Sequence, residues 1–166
     1  MRLRSTLFLT FIFLSSFSAA YAEEKKAPIV CHGDEVVFLE AEQKLTAEGH
    51  VIVIYEDVKI TCDKINISLD TKEGVGEGNI VLYQKDSILT GEKCEYNFAT
   101  QTGQIYEAGF ASQVIYGKGP VAVKEGPKEI TMRKSYMTTC DLAEPHYRIQ
   151  SRTAKIFLDD KVVMRH

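Results

Sequence analysis

The chain has 166 residues, 20 Lys and Arg against 23 Asp and Glu, and an apolar share of 45%. That length suits one domain with a real core. The mildly acidic balance, with no basic run, excludes nucleic acid as the expected partner.

Residues 1–22 read as a secretory signal peptide. Arg2 and Arg4 supply the positive start, Leu7 to Phe17 a short apolar run, and Ala20-Tyr21-Ala22 a small-x-small cleavage site. The expected mature chain begins at Glu23 and keeps 144 residues, with 18 basic against 23 acidic side chains. The apolar run is short for a bilayer span, and no later stretch approaches one. No cysteine directly follows it, so lipoprotein acylation is not expected. Residues 23–29 form a short polar leader, and residues 30–166 are expected to form one domain.

That domain repeats itself. Asp34 to Phe38 lines up with Asp63 to Ile67 and again with Glu92 to Tyr96, each step being 29 residues. Glu48-Gly49-His50-Val51 lines up with Glu77-Gly78-Asn79-Ile80 at the same spacing. A fixed period of this size predicts a stack of thin units, none able to bury its apolar face alone.

Alternation inside each unit predicts β-hairpins. From Ile60 to Leu69, Ile65, Ile67 and Leu69 lie on one face and Lys64, Asn66 and Ser68 on the other. Asp70 to Gly74 is a predicted turn, and Gly76 to Asn79 turns again before Ile80 to Tyr83. The next unit places Cys94, Tyr96 and Phe98 on one face, and its turn repeats Thr-x-x-Gly at Thr100 to Gly103. Beyond Gly103 the period slips by about two residues, with Ala108-Gly109 answering Glu77-Gly78. Gly117 to Pro120 and Glu125 to Pro127 read as loops. Strands resume at Glu129 to Tyr136, Tyr147 to Arg152 and Lys155 to Leu158.

No segment outside the signal peptide has helical period and length. The expectation is all-β: an antiparallel β-jellyroll of stacked hairpins, each strand pairing with its sequence neighbour. The last residues, Lys161 to His166, read as a further strand. Its free edge calls for a pairing partner or a continuation of the chain.

Val36, Phe38, Val51, Val53, Ile65, Ile67, Leu69, Ile80, Leu82, Tyr96 and Phe98 are expected to share one interior face. They form either a closed core or, if the walls part, an apolar groove suited to acyl chains. The repeat register puts Cys94 on that face and Cys62, in the place of Gly33 and Gly91, on the other. Cys31 and Cys140 lie outside the repeated core and are the better disulfide candidates, although four thiols allow three complete pairings.

Enzyme chemistry finds little support. His32, His50, His146 and His166 lie in different units, and no cofactor or metal site is expected. Nucleophile elbow, phosphate loop and histidine–glutamate zinc motifs are all absent from the sequence. Cys140 or Ser135 as a nucleophile would need a base that the sequence does not indicate. Met137-Thr138-Thr139-Cys140-Asp141, followed by Pro145-His146-Tyr147-Arg148-Ile149, is not repeated and reads as an insertion between strands.

These features together resemble the OstA-like family of lipopolysaccharide-transport proteins, and within it the N-terminal periplasmic domain of LptD. Ala47-Glu48-Gly49-His50-Val51 and Gly76-Glu77-Gly78-Asn79-Ile80 carry the wider likeness, shared with LptA and LptC. Thr138-Thr139-Cys140-Asp141 with Pro145, and the early Cys31, carry the likeness to LptD. The resemblance implies a periplasmic jellyroll that docks edge to edge with LptA-like jellyrolls. It further implies that lipid A acyl chains of lipopolysaccharide run in the apolar groove, and that no cofactor is needed. It implies that Cys31 and Cys140 match the positions that bond, in the family, with cysteines beyond a membrane barrel. That barrel and those partner cysteines are missing here, while Cys62 and Cys94 are additional. A piece of a longer chain and a free-standing protein both remain open, as does an outer-membrane barrel subunit as partner. The rival from another class is a structural or adhesive exported repeat protein with a closed core.

Overall fold

The computed structural model describes residues 27–166. The expected signal peptide and the first part of the leader lie outside the described residues. The rest is strand after strand: β1 (Val30–His32), β2 (Glu35–Leu39), β3 (Lys44–Tyr55), β4 (Val58–Ser68), β5 (Glu73–Gln84), β6 (Ser87–Asn97), β7 (Thr102–Ser112), β8 (Ile115–Lys124), β9 (Glu129–Thr138), β10 (Ile149–Phe157) and β11 (Lys161–Arg165). All belong to one antiparallel sheet whose order follows the chain, β1-β3-β4 and onward to β11, with β2 also on β3. β1 pairs with Ile52 to Ile54 and β2 with Lys44 to Glu48, so the two make one edge strand interrupted at Gly33-Asp34.

The repeat is written into the backbone. Left-handed residues recur at Gln43, Lys72 and Gln101 in one row of hairpin turns and at Glu56, Lys85 and Gln113 in the other. A third row, His50, Asn79, Glu107 and Lys134, falls in mid-strand on β3, β5, β7 and β9, with φ of 46°, 47°, 52° and 48°. Ladder register slips beside the first two of these, between Glu48 and Val51 and between Glu77 and Ile80. A left-handed residue with an unpaired neighbour bends its strand, as in a β-bulge. The row therefore folds the sheet lengthwise into two walls that face each other. A single layer could not bury Val53, Ile60 and Phe98 completely, as they are here.

The first two corners have a local cause. Asp34 Oδ2 meets His50 Nδ1 at 2.8 Å, and one repeat later Asn79 Nδ2 donates to Asp63 Oδ2 at 2.8 Å. Gly49 and Gly78 precede these residues with φ of 75°, where a Cβ would collide with the same carboxylates. The turns repeat as faithfully. Leu69 N–H donates to the Gln43 carbonyl and Phe98 N–H to the Lys72 carbonyl, both at 2.8 Å.

Four sequence expectations need correcting. The two strands expected at Tyr147 to Arg152 and Lys155 to Leu158 are one continuous strand, β10. Gly76 to Asn79 is a bend inside continuous β5, not a turn between strands. Gly117 to Pro120 is not a loop but the corner of β8, where Pro120 falls in the gap between the Gly119–Ala108 and Val121–Tyr106 pairs and needs no ladder hydrogen bond. Cys62 faces inward, 5% exposed, because alternation changes parity across Asp63: Ile60 and Cys62 point inward before it, Ile65 and Ile67 after it. Strict period two cannot cross a corner.

Candidate functional site

The space between the walls is the site that the sequence reading singles out. Val51, Val53, Ile65, Ile67, Ile80, Leu82, Tyr96 and Phe98 are all buried there, and Leu69 is half-buried against them. Phe98 holds the centre, edge-on to Tyr96 and Tyr55 with ring centroids 5.2 and 6.0 Å away. Through these first repeats the interior is a packed core. Val36 and Phe38 behave differently. They pair with Ala47 and Leu45 and so share the inner face, yet they are 44% and 50% exposed. β2 is an edge strand, with no further neighbour to cover them.

The rim where the turns of the two walls meet is clasped at one end. Gln101 Nε2 donates to Glu56 Oε2 and Asp57 Oδ1, both at 3.2 Å. Gln84 Nε2 donates to Asp57 Oδ2 and Gln101 Oε1, both at 3.0 Å. Lys72 Nζ lies 5.2 Å from the centre of the Tyr55 ring. Behind this clasp the Tyr96 hydroxyl and Gln84 Oε1 are buried without a hydrogen-bond partner. Lys124 is also buried, 3% exposed, and donates to the Gly126 carbonyl at 2.5 Å. Burial holds its ammonium down to a pKa of about 8, against a smaller opposing pull from Asp57.

At the other end the rim is open. A cavity of about 270 Å³ lies between the Gln113-Val114 turn and the Asp159-Asp160 turn. Phe110, Ile115, Ile156, Leu158 and Val162 give it an apolar floor. The nearest bridge across this part of the rim is Lys85 to Asp159, a long contact of 3.9 Å. Nothing in the sequence marks this opening, because its two sides lie more than forty residues apart.

All four cysteines are free thiols. Cys31 on β1 and Cys140 after β9 stand seven strand steps apart in the sheet order, on the order of 30 Å along the sheet. They cannot bond to each other while the sheet is intact. Cys94 is buried as expected. Burial pushes the Cys62 thiol up to about 12 and the Cys94 thiol up to about 11. Cys140, on the insertion, meets His146 (Sγ to Nδ1, 3.6 Å), a neighbour that sequence reasoning did not supply. Among the described residues no three His, Cys, Asp or Glu side chains converge as a metal-ligand set.

This two-walled, corner-bent stack has relatives. The chain is 26% identical over 115 residues to LPS-assembly protein LptD of Acinetobacter baylyi, an alignment covering 68% of this chain and 14% of that protein. The chain is similar to LptD. LptD of Azoarcus sp. is 22% identical over 134 residues, covering 72% of this chain and 16% of the relative. The chain thus spans a small part of the length of the LptD proteins it matches. Among solved structures it is similar to LptH, the LptA homologous periplasmic component of the conserved lipopolysaccharide transport device from Pseudomonas aeruginosa. There the TM-score is 0.55 at 16% identity, over 58% of this chain and 75% of that one, which establishes the shared jellyroll fold. No protein-family model matches the chain.

Proposed function

We propose that the chain is a periplasmic, non-enzymatic domain of the lipopolysaccharide export pathway that carries lipid A acyl chains between its two walls. The observation that carries this reading is the apolar interior, clasped at one end and open at the other through a cavity floored by Phe110, Ile115, Ile156, Leu158 and Val162. Acyl chains need dry surface and no specific polar contact. They would enter at the open rim, and the walls would part from there toward Ile67 and Phe98. The LptD relatives and the LptH-like fold agree with this reading.

Handover would use the sheet edges. β2 offers unpaired backbone and the exposed Val36 and Phe38, and an LptA-like jellyroll adding its own edge strand there would cover both. Export by the signal peptide would place the domain in the periplasm. Association with the outer membrane would follow if it works alongside a membrane barrel. No step in this scheme needs a cofactor, and the driving energy comes from elsewhere.

Photo-crosslinkers in purified residues 23–166, incubated with lipopolysaccharide, test the proposal. Labelling is expected at Val114 and Ile115 on the open rim and more weakly at Ile67 and Phe98, with Asn66 on the outer face as the silent control. Ile67→Asp in a folded variant should abolish the interior labelling. A folded wild-type sample that labels nowhere would sink the proposal. It would favour the closed-core structural repeat, which the dense packing around Phe98 already suits.

A further inference from the structure

We propose that the stretch of rim between the clasp and the opening is an anion site, in which Lys124, with the hydroxyls of Ser87, Ser112 and Tyr96, takes the phosphate head of an acyl amphiphile. The inference rests on the lipid-carrier reading. It adds a polar contact for the part of the ligand that is not apolar.

Register assembles the site. On the inner face of one wall, the row nearest the rim pairs in the order Tyr55, Val58, Gln84, Ser87, Ser112 and Ile115. On the facing wall the corresponding row runs Tyr96, Gly103, Lys124, Ile130, Ile156 and Val162. The clasp joins the walls through Gln84 and Gln101, and the open cavity joins them through Ile115, Ile156 and Val162. Between those two points lie Ser87 and Ser112 on one side and Lys124 on the other. Ser112 lines the cavity, and its hydroxyl is 3.4 Å from that of Ser87. A head that enters with its chains at the opening therefore meets hydroxyls first and the ammonium next.

Charge decides the class of ligand. Lys124 is 3% exposed, and its ammonium donates to the Gly126 carbonyl. Among the described residues it enters no ion pair. Asp57, the carboxylate that pulls on it, has both oxygens engaged by Gln84 and Gln101. Glu125 and Glu129, beside the same loop, turn to Lys155. A confined ammonium with no counterion costs stability, and a closed apolar core has no use for one. With a pKa of about 8 it keeps its proton at neutral pH.

The neighbours fit the same ligand. The Tyr96 hydroxyl, in the same row as Lys124, is buried without a hydrogen-bond partner. An ammonium, a phenol and two serine hydroxyls are donors, and a phosphate offers several acceptor oxygens to share among them. The mouth does not turn an anion away. Its acids, Asp159 and Asp160, are each met by a lysine, Lys85 at 3.9 Å and Lys161 at 3.1 Å.

The test titrates residues 23–166 at pH 7 by calorimetry with two amphiphiles of one chain length, dodecyl phosphate and dodecyl maltoside, below their micelle concentrations. The wild type is expected to bind the phosphate about tenfold or more tightly than the maltoside. Lys124→Met should erase that preference and keep the maltoside affinity, with its fold checked by thermal melting. Lys59→Met removes the same charge from the outer face, where Lys59 alternates with the buried Val58 and Ile60, and should leave the preference intact. A preference that survives Lys124→Met, or that falls equally in Lys59→Met, overturns the proposal. Equal binding of both amphiphiles by the wild type also overturns it and leaves the carrier reading standing. Binding of neither overturns the site together with the carrier reading. Inorganic phosphate bound as tightly as dodecyl phosphate would overturn it too, because the head would then be recognised without its chain.

Discussion

The two halves of the sheet are built by the same rule and end up with different interiors. From β3 to β6 the corners come in bonded pairs, Asp34 with His50 and Asp63 with Asn79, and the rim is clasped through Asp57, Gln84 and Gln101. At the next corner Glu107 on β7 and Glu92 on β6 fall in the same gap of the ladder, and two carboxylates cannot form the bonded pair that Asn79 and Asp63 make. From β7 to β11 the interior admits Ser135 and Ser151, whose hydroxyls lie 3.5 Å apart, and the rim stands open. Faithful repetition makes a dense core. Departure from it leaves the compliance that a ligand would use.

Four tests, using six substitutions, break or sharpen this contrast. The largest effect belongs to the closed half. Phe98→Ala should cost about 3–5 kcal/mol, measured by urea unfolding. Ile115→Ala on the open rim should cost well under half of that, because its side chain is only half-buried. Equal losses at the two sites would mean that the open half is as tightly packed as the closed one.

Next comes Lys124, the buried amine between the halves. Its pKa is lowered to about 8 in the folded chain, against 10.5 for the free side chain. Below pH 8 folding therefore confines a charged amine. Between pH 8 and pH 10.5 the folded amine has lost its proton while the unfolded one keeps it, so the wild type gains stability across that window. Lys124→Met should stabilise the chain by about 1–3 kcal/mol at neutral pH and lose most of that advantage by pH 10.5. An advantage that does not change with pH would mean the lysine reaches solvent.

Gly78→Ala tests the corner itself. With φ at 75° and a carboxylate where the Cβ would go, it should cost about 1–3 kcal/mol. Gly126→Ala, with nothing within 4 Å, should be nearly neutral by the same thermal-melt comparison.

The smallest effect is at His50, which is exposed and bonded to Asp34. That bond raises the imidazole pKa above 6.5, so its contribution is fully present below that value and fades as pH rises through the folded one. His50→Asn copies the neutral Asn79–Asp63 pair of the next repeat. It should flatten the melting temperature between pH 5 and pH 8 while scarcely moving its value at pH 8.

Much of this molecule was legible without coordinates. The 29-residue spacing, the recurrence of Glu-Gly-His-Val as Glu-Gly-Asn-Ile and the alternation of Ile65, Ile67 and Leu69 are local signals, and a β-hairpin is a local object; that these Gly-His and Gly-Asn steps are corners rather than turns was not legible. They sufficed for an all-β jellyroll of stacked hairpins, and for the inward side of Cys94, Tyr96 and Phe98. Three matters belonged to the tertiary structure. The parity change at Asp63 turned Cys62 inward, because a corner resets the pleat and no propensity announces it. The exposure of Val36 and Phe38 follows from β2 having a neighbour on one side only, a property of sheet order rather than of side chains. The clasp at Asp57, the opening beside Val114 and the meeting of Cys140 with His146 all depend on which turns the two facing walls bring together. Periodicity specifies the face of a strand; only the closed geometry of the sheet decides what stands opposite it.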